Sequence, residues 1–240
     1  NGTYGFAGLA PGDYVVAVDT ADLPSAAYTT STGGDTADVT VASGVDQLDI
    51  DFGYSAPAAI GDLVFDDLNG NGAFDAGEPG LDGVIIRITG GDLPAGGTTD
   101  TTDANGAYDF DTLTPGTYLV EILAGLPAGA VTTLGDGGIT VTVESDETNE
   151  DIDFGAYLPT SIGDFVFIDE DGNGSFNGAS GDVALASVEV TLTGGSLPVD
   201  GITQVTDANG LYSFDGLEPG DYTVTLTGGL PAGSISTTGG

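Results

Sequence analysis

The sequence predicts an all-β protein built from β-sandwich domains in tandem, and three observations predict it. Apolar and polar residues alternate with a period of two, which is typical of half-buried strands. Gly, Pro, Asn and Asp recur between these segments, where they favour turns. Related blocks return about every 100 residues along the chain, and this spacing is an ordinary size for one domain.

Repeated blocks set the expected domain boundaries. NGTYGFAGLAPGDYVVAV begins at Asn1, NGAYDFDTLTPGTYLVEI at Asn105 and NGLYSFDGLEPGDYTVTL at Asn209, so the starts are 104 residues apart. IGDLVFDDLNGNGAFD at Ile60 returns as IGDFVFIDEDGNGSFN at Ile162. We therefore expect the back part of one domain at 1–57, a complete domain at 58–159 and most of a third at 160–240. This division indicates a segment of a longer array.

The alternation assigns an inward and an outward face to each strand. In TYLVEI, the apolar side chains Tyr118, Val120 and Ile122 fall on one face. The single basic residue, Arg87, and Glu189 fall on outward positions of their strands. We expect seven or eight strands per domain without a helix, which favours a β-sandwich. The other inward sets are Tyr14, Val16 and Val18; Tyr222, Val224 and Leu226; Val84, Ile86 and Ile88; and Val188, Val190 and Leu192.

The joints between the expected domains are short. Only SAPAA follows Tyr54 before the next domain begins, and only LPTS follows Tyr157. Each joint contains a proline, which stiffens a linker. The neighbouring repeats of the chain are therefore the expected partners of each domain, in a semi-rigid, rod-like array.

Charge excludes several classes of function. The chain of 240 residues has 38 acidic side chains and one basic one, for a net charge of −37. Nucleic acid is excluded as a partner because phosphate contacts need Lys and Arg. No apolar run approaches the roughly 20 residues that span a bilayer, so we expect no membrane insertion. Short carboxylates in Gly-rich loops are typical ligands of hard cations. A solvated acidic surface from a saline habitat explains the same charge, and the two interpretations are compatible.

The stretch DDLNGNGAFDAGE contains the spacing of an EF-hand calcium loop. Its twelve positions start at Asp67, and Gly72 at position 6 allows the sharp turn. We predict a Ca²⁺ site with side-chain or carbonyl oxygens from positions 1, 3, 5, 7, 9 and 12, with Phe74 packed inward to hold the loop. These ligands are Asp67, Asn69, Asn71, Ala73, Asp75 and Glu78.

A second loop has the same start and a different end. Positions 9 and 12 are Asn177 and Ser180, so the closing carboxylate is missing from its usual place. Asp182, two residues later, is the expected substitute. We predict a weaker Ca²⁺ site whose ligands are Asp169, Asp171, Asn173, Ser175, Asn177 and Asp182.

These blocks resemble the SdrD B-like, Cna B-type repeats of bacterial surface adhesins. The resemblance rests on the motifs IGDLVFDDLNGNGAFDAGE, DANGAYDFDTLTPGTYLVEI and DIDFGAY, in that order along the chain. The resemblance covers the whole chain. It implies Greek-key, Ig-like sandwiches in tandem, forming an extracellular, cell-surface stalk that binds calcium and has no enzymatic activity. Many Cna B-type domains carry an internal Lys–Asn crosslink, which this chain cannot form because it contains no Lys. Disulfides are equally impossible, since it contains no Cys.

We expect a structural role rather than catalysis. With no His, Cys or Lys, acid–base chemistry would rest on Asp, Glu and Tyr, and no unit carries an insertion that could build a sugar cleft. Two alternatives to a calcium-stabilised spacer remain open. The chain could assemble with other copies of itself into a filament, or bind carbohydrate or host matrix, although its aromatic residues fall mostly on inward positions.

Overall fold

The computed structural model describes residues 2–24, 28–135 and 137–237. Asn1 and Gly240, the ends of the predicted arrangement, lie outside the described residues. The described part is almost entirely strands and turns, which confirms the predicted all-β fold class. None of its helical segments is long and apolar enough to cross a membrane.

The first segment, which comprises the described residues of 2–57, contains short paired strands. Its 3-10 turn, Thr20–Asp22, follows Asp19, whose carboxylate accepts a hydrogen bond from the amide of Ala21 at 3.1 Å. Such capping by a short acidic side chain explains the turn, although no helix was predicted. The strands are β1 (Gly12–Ala17), β2 (Thr29–Thr30), β3 (Thr36–Val41) and β4 (Tyr54–Ser55).

The central segment holds nine strands among its described residues, compared with the seven or eight predicted. The excess comes from strands of only two residues, which alternation cannot detect. These strands are β5 (Ala58–Asp66), β6 (Ile85–Gly90), β7 (Thr98–Thr101), β8 (Ala107–Leu113), β9 (Gly116–Ala124), β10 (Val131–Thr132), β11 (Ile139–Val143), β12 (Thr148–Asn149) and β13 (Phe154–Tyr157).

The third segment repeats this order as far as the described residues extend. It also contains a 3-10 turn, Gly178–Ser180, which follows Asn177. Its strands are β14 (Thr160–Phe165), β15 (Phe167–Ile168), β16 (Val183–Ala184), β17 (Glu189–Gly194), β18 (Ile202–Val205), β19 (Leu211–Leu217) and β20 (Tyr222–Gly228).

The described residues group into two compact units, and the first takes in those of 1–63, 82–124 and 137–152. In this unit β1 pairs with β3 and β2 with β4, in both cases antiparallel. Another sheet has the order β11-β9-β6-β7 and is antiparallel throughout. The early part of β5 pairs antiparallel with β8 and parallel with β12.

The second unit takes in the described residues of 64–81, 125–136 and 153–240. Here the end of β5 pairs parallel with β13, which pairs antiparallel with β10. The third segment forms the sheet β18-β17-β20 and the pairs β14-β19 and β15-β16. The loop 67–78 therefore begins where β5 ends, next to β13.

Burial follows the predicted alternation in most strands. Val84, Ile86 and Ile88 are fully buried, as are Val188, Val190 and Leu192 in the third segment. Tyr118 and Val120 of β9 are also buried. The outward residue Arg87 forms an ion pair with Glu121 across β6 and β9, at 2.9 Å. These buried rows are the cores that a β-sandwich requires.

The inward prediction is wrong for two residues of β20. Val224 and Leu226 are 39% and 43% exposed. Among the described residues β20 pairs with β17 alone, whereas its counterpart β9 pairs with both β6 and β11. A strand without its second neighbour keeps more of its side chains in contact with solvent.

Each repeat also contains a tyrosine corner, in which a strand tyrosine bonds a backbone carbonyl four residues upstream. Tyr118 donates to the carbonyl oxygen of Thr114 at 2.6 Å, and Tyr222 donates to that of Glu218 at 2.9 Å. Tyr14 makes the same bond to Ala10 at 2.8 Å. The bonds fix the x-Pro-Gly segments, whose residue types predict turns but not this hydrogen bond.

Candidate cation loops

Asp67 anchors the first loop from inside. Its side chain is fully buried, and its carboxylate accepts hydrogen bonds from the amides of Gly70 at 2.7 Å, Asn71 at 3.1 Å and Gly72 at 2.8 Å. Its own amide donates to the carbonyl of Ala156 in β13 at 2.8 Å. Because both ends of the residue are bonded, position 1 ties the loop to the sheet.

Glu78 closes the same loop from position 12. Its side chain is 8% exposed, and its two oxygens accept from the amides of Leu68 at 3.0 Å and Asp75 at 2.9 Å. One carboxylate therefore joins the second and ninth residues of the loop. The predicted bidentate ligand lies inside the loop with both oxygens turned towards its backbone.

The amides of Asn69 and Asn71 face Asp75. Their nitrogens donate to one Asp75 oxygen at 2.9 Å and 2.7 Å, and these bonds lower the pKa of the Asp75 carboxyl. A 180° rotation of each side-chain amide exchanges the positions of its nitrogen and its oxygen. The oxygen is the atom that ligates a cation. Ala73 lies in the same turn, with its amide bonded to the Asn71 side-chain oxygen at 2.7 Å.

The second loop begins in the same way. The Asp169 carboxylate accepts from the amides of Gly172 at 2.8 Å, Asn173 at 3.2 Å and Gly174 at 2.9 Å. The bond from Gly174 is the main cause of a lowered pKa for Asp169, followed by one from the Thr237 hydroxyl. Unlike Asp67, Asp169 is only partly buried.

Asp182 has the contacts of Glu78 although it stands two positions later. It is 6% exposed, and its oxygens accept from the amides of Glu170 at 2.9 Å and Asn177 at 2.7 Å. The 3-10 turn Gly178–Ser180 takes up the two extra residues. Asn177 caps that turn through the amide of Ala179 at 3.1 Å, so position 9 has a clear structural role.

The oxygens of the second loop fit a hard cation. Carboxylate oxygens of Asp169, Asp171 and Asp182 all lie within 4.8 Å of one another. Calcium ligands stand at 2.3–2.6 Å from the ion, so oxygens on opposite sides are about 5 Å apart. Asp171 and Asn173 also bond amides two residues ahead, at 3.1 Å to Asn173 and 2.7 Å to Ser175. The loop thus gathers the predicted side chains, and calcium ligation itself stays a prediction.

The predicted inward packing of Phe74 is wrong in part. Its ring meets the buried ring of Phe65 edge-on at a centroid distance of 5.5 Å, but the side chain remains 48% exposed. Phe176 is 46% exposed and contacts both Phe165 and Phe167, at 5.0 Å and 5.5 Å. Both phenylalanine side chains stay about half exposed because their backbone lies in an exposed loop.

The amide donors of both loops were missed from the sequence. They include Gly70 and Gly72, which have positive φ angles of 73° and 74°. Their signal was the Asp-x-x-Gly spacing, because an Asp that begins a tight turn accepts from amides a few residues ahead. The contact between Gly70 of the first loop and Pro219 of the third segment had no local signal, since it joins distant parts of the chain.

Known proteins share this pattern. The sequence profile of the SdrD B-like domain matches residues 58–156 and 160–240. Serine-aspartate repeat-containing protein E of Staphylococcus aureus is 35% identical over 99% of this chain and 22% of its own length. The bone sialoprotein-binding protein of the same species is 36% identical over 99% of this chain and 22% of its own. The chain therefore spans about a fifth of the length of these relatives.

Among solved structures, the Bacillus anthracis TIE protein has a TM-score of 0.39 and 16% sequence identity. The alignment covers 83% of this chain and 32% of that one.

Proposed function

Because the chain belongs to the SdrD B-like domain family, we propose that it is a calcium-stabilised structural segment of an extracellular surface stalk. The membership confirms the resemblance seen in the residues, and with it the cell-surface location. A non-catalytic role agrees with this family. The segment would act as a spacer that holds an adhesive part of the whole protein away from the cell.

The buried closing carboxylate of each loop is the observation that carries the proposal. Glu78 and Asp182 are almost fully buried, and each lies in a loop with two or more further acidic residues. At a separation of about 5 Å and an effective dielectric of about 20, each like-charged pair costs roughly 3 kcal/mol. A divalent cation removes this repulsion, so it would favour the ordered loop.

The residues that would hold the cations are those predicted from spacing. In the first loop they are Asp67, Asn69, Asn71, Ala73, Asp75 and Glu78; in the second they are Asp169, Asp171, Asn173, Ser175, Asn177 and Asp182. Extracellular calcium modules bind at about 10⁻⁴–10⁻³ M. At tenfold to hundredfold saturation, each site would add about 1–3 kcal/mol to the free energy of unfolding.

Thermal unfolding in EGTA and in 5 mM CaCl₂ tests the proposal. We expect a higher midpoint with calcium, and a smaller increase in Asp67→Ala with Glu78→Ala. Asp103→Asn is the matched control, because Asp103 caps a turn outside the loops through the amides of Asn105 and Ala107, at 2.8 Å and 3.0 Å. Equal midpoints in the two buffers would refute calcium stabilisation.

Electron microscopy of the purified chain separates a spacer from a filament subunit. We expect isolated particles in both buffers. Filaments that form in either buffer would favour self-assembly, the alternative that the sequence left open.

A further inference from the structure

Tyr157, the last residue of β13, contacts the third segment. Its side chain is 6% exposed, and the Glu218 carboxylate lies close enough for its charge to act on the tyrosine hydroxyl. Burial, then the charge and hydrogen bond of Glu218, raise the pKa of Tyr157, with a further contribution from the charge of Asp67. The charges of both the first-loop anchor and a carboxylate of the next repeat therefore act on this nearly buried tyrosine.

The turn that carries Glu218 is held rigidly. Its carbonyl oxygen accepts from the hydroxyl of Tyr222 at 2.9 Å, which is the tyrosine corner of the third segment. The backbone of Glu218 is thereby bonded within its own repeat, and its carboxylate lies near Tyr157. The tyrosine corner therefore holds the Glu218–Gly220 turn where it meets the first loop.

A second contact joins the same turn to the loop. A methyl group placed on Gly70 would stand 3.3 Å from the carbonyl oxygen and 3.4 Å from Cδ of Pro219. Gly172 occupies the same place in the second loop with a similar φ angle, 70° against 73°, and a methyl group there would meet no described residue within 4 Å. The first loop therefore contacts Pro219 at a point where the second has no neighbour among the described residues.

We propose that the Glu218–Gly220 turn of the third repeat docks on loop 67–78 and Tyr157, so that an ordered loop fixes the position of the following repeat. The partner of this surface is an acidic Glu-Pro-Gly turn supported by a tyrosine corner. All of these residues lie in the second compact unit. The docking contact stands without calcium, whereas its dependence on calcium rests on the proposed function.

The joint between the first and central segments differs from this one at both the tyrosine and the glutamate position. Tyr54, the counterpart of Tyr157, donates instead to Asp35 within its own repeat at 2.8 Å. Thr114, the counterpart of Glu218, has no carboxylate. Docking through a tyrosine and a glutamate therefore belongs to the joint that contains the Glu-Pro-Gly turn, and Tyr54 provides a matched control.

Distance measurement between two spin labels tests docking in the whole chain. The sequence has no Cys, so Ala76→Cys in the exposed part of the loop and Val199→Cys, which is 99% exposed at its position, give two specific sites. We expect a narrow distance distribution in the labelled parent in 5 mM CaCl₂. It broadens with Tyr157→Phe and Glu218→Gln, and stays narrow with Tyr54→Phe.

A pair of glycine substitutions supplies a second measurement. Gly70→Ala and Gly172→Ala introduce the same backbone strain because both positions have positive φ, but only Gly70→Ala pushes against Pro219. We expect Gly70→Ala to broaden the distribution and Gly172→Ala to leave it unchanged. An unchanged distribution in Gly70→Ala and in the Tyr157 and Glu218 variants would overturn docking, even if calcium raised the unfolding midpoint. Broadening without any calcium effect would support docking and count against the proposed function alone.

Discussion

The two cation loops reach similar contacts with different sequences. Glu78 at position 12 and Asp182 at position 14 each accept two amides, from the second and the ninth residue of the loop. A shorter side chain has replaced a longer one, and the 3-10 turn Gly178–Ser180 makes up the difference. Both loops therefore place a carboxylate at the same location relative to the backbone, although its position in the sequence differs between them.

The loops also differ in how deeply they are anchored. Asp67 is fully buried, whereas Asp169 remains partly exposed although it accepts three comparable hydrogen bonds. Water can satisfy amides that lose an exposed partner, but it reaches buried amides poorly. The first loop should therefore depend more strongly on its anchor.

The largest expected effect is the loss of that anchor. In 5 mM CaCl₂, where the proposed cation would offset the repulsion between the loop carboxylates, Asp67→Ala should reduce the free energy of unfolding by about 3 kcal/mol, because it leaves three amides without their charged acceptor. Asp169→Ala, the matched variant, should cost less. Amide hydrogen exchange in peptides covering residues 64–81 and 166–185 measures the two losses separately. Equal losses would contradict the role given to burial.

The next largest effect is expected from shortening the side chain that closes the first loop. Glu78→Asp shortens it by one methylene, so it can no longer reach both amides, and we expect a loss of about 1–2 kcal/mol. Glu150→Asp makes the same change at an exposed position and should be close to neutral. Chemical denaturation in EGTA compares the two. If Glu78→Asp were as neutral as its control, closure would not depend on side-chain length.

Much of this comparison was predictable from local sequence. Alternation gave the buried rows of β6, β9 and β17, and loop spacing gave the acidic and amide side chains that the two loops bring together, although not the backbone amides that bond them. Asp182 was found as a substitute because it is the nearest later carboxylate. These features depend on contacts within a strand or a turn, where spacing fixes geometry.

What failed depended on tertiary neighbours. The exposure of Val224 and Leu226 reflects which strands pair with β20, and the half exposure of Phe74 reflects the course of its loop. The interaction between Tyr157 and Glu218 joins residues 61 positions apart. No periodicity links such residues, because each lies in a repeat whose own pattern is satisfied without the other.

The aromatic contacts of the two loops should contribute to stability by different amounts, and this difference should be smaller than the effects above. Phe176 meets two rings and Phe74 meets one. Each aromatic pair contributes about 0.5–1.5 kcal/mol beyond its buried area. Phe176→Leu should therefore cost about that much more than Phe74→Leu in chemical denaturation. A larger cost for Phe74→Leu would show that burial at Phe65, rather than the number of ring contacts, controls the loop.

The smallest expected effect is a difference between the central and third repeats in how their stability depends on pH. In the central repeat, partial burial, then the charge of Asp111 and a hydrogen bond with it, and then the charge of Asp100 raise the pKa of Asp109. The third repeat has Gln204 and Ser213 in place of Asp100 and Asp109. A carboxyl whose pKa is higher in the folded state binds more protons there than in the unfolded state. Its contribution to stability is therefore present at low pH and is lost as pH rises through the folded pKa.

Asp109→Asn should consequently raise the unfolding midpoint at pH 7, where repulsion with Asp111 is present, and should raise it less at pH 4. The control is Asp215→Asn, because Asp215 is the counterpart of Asp111 and accepts from the Ser213 hydroxyl at 2.8 Å. Neutralising Asp215 removes a favourable hydrogen bond rather than a repulsion, so no gain is expected at pH 7. Thermal unfolding of both variants at the two pH values measures these changes. A gain at pH 4 as large as that at pH 7 would show that Asp109 is not the group whose protonation distinguishes the central repeat.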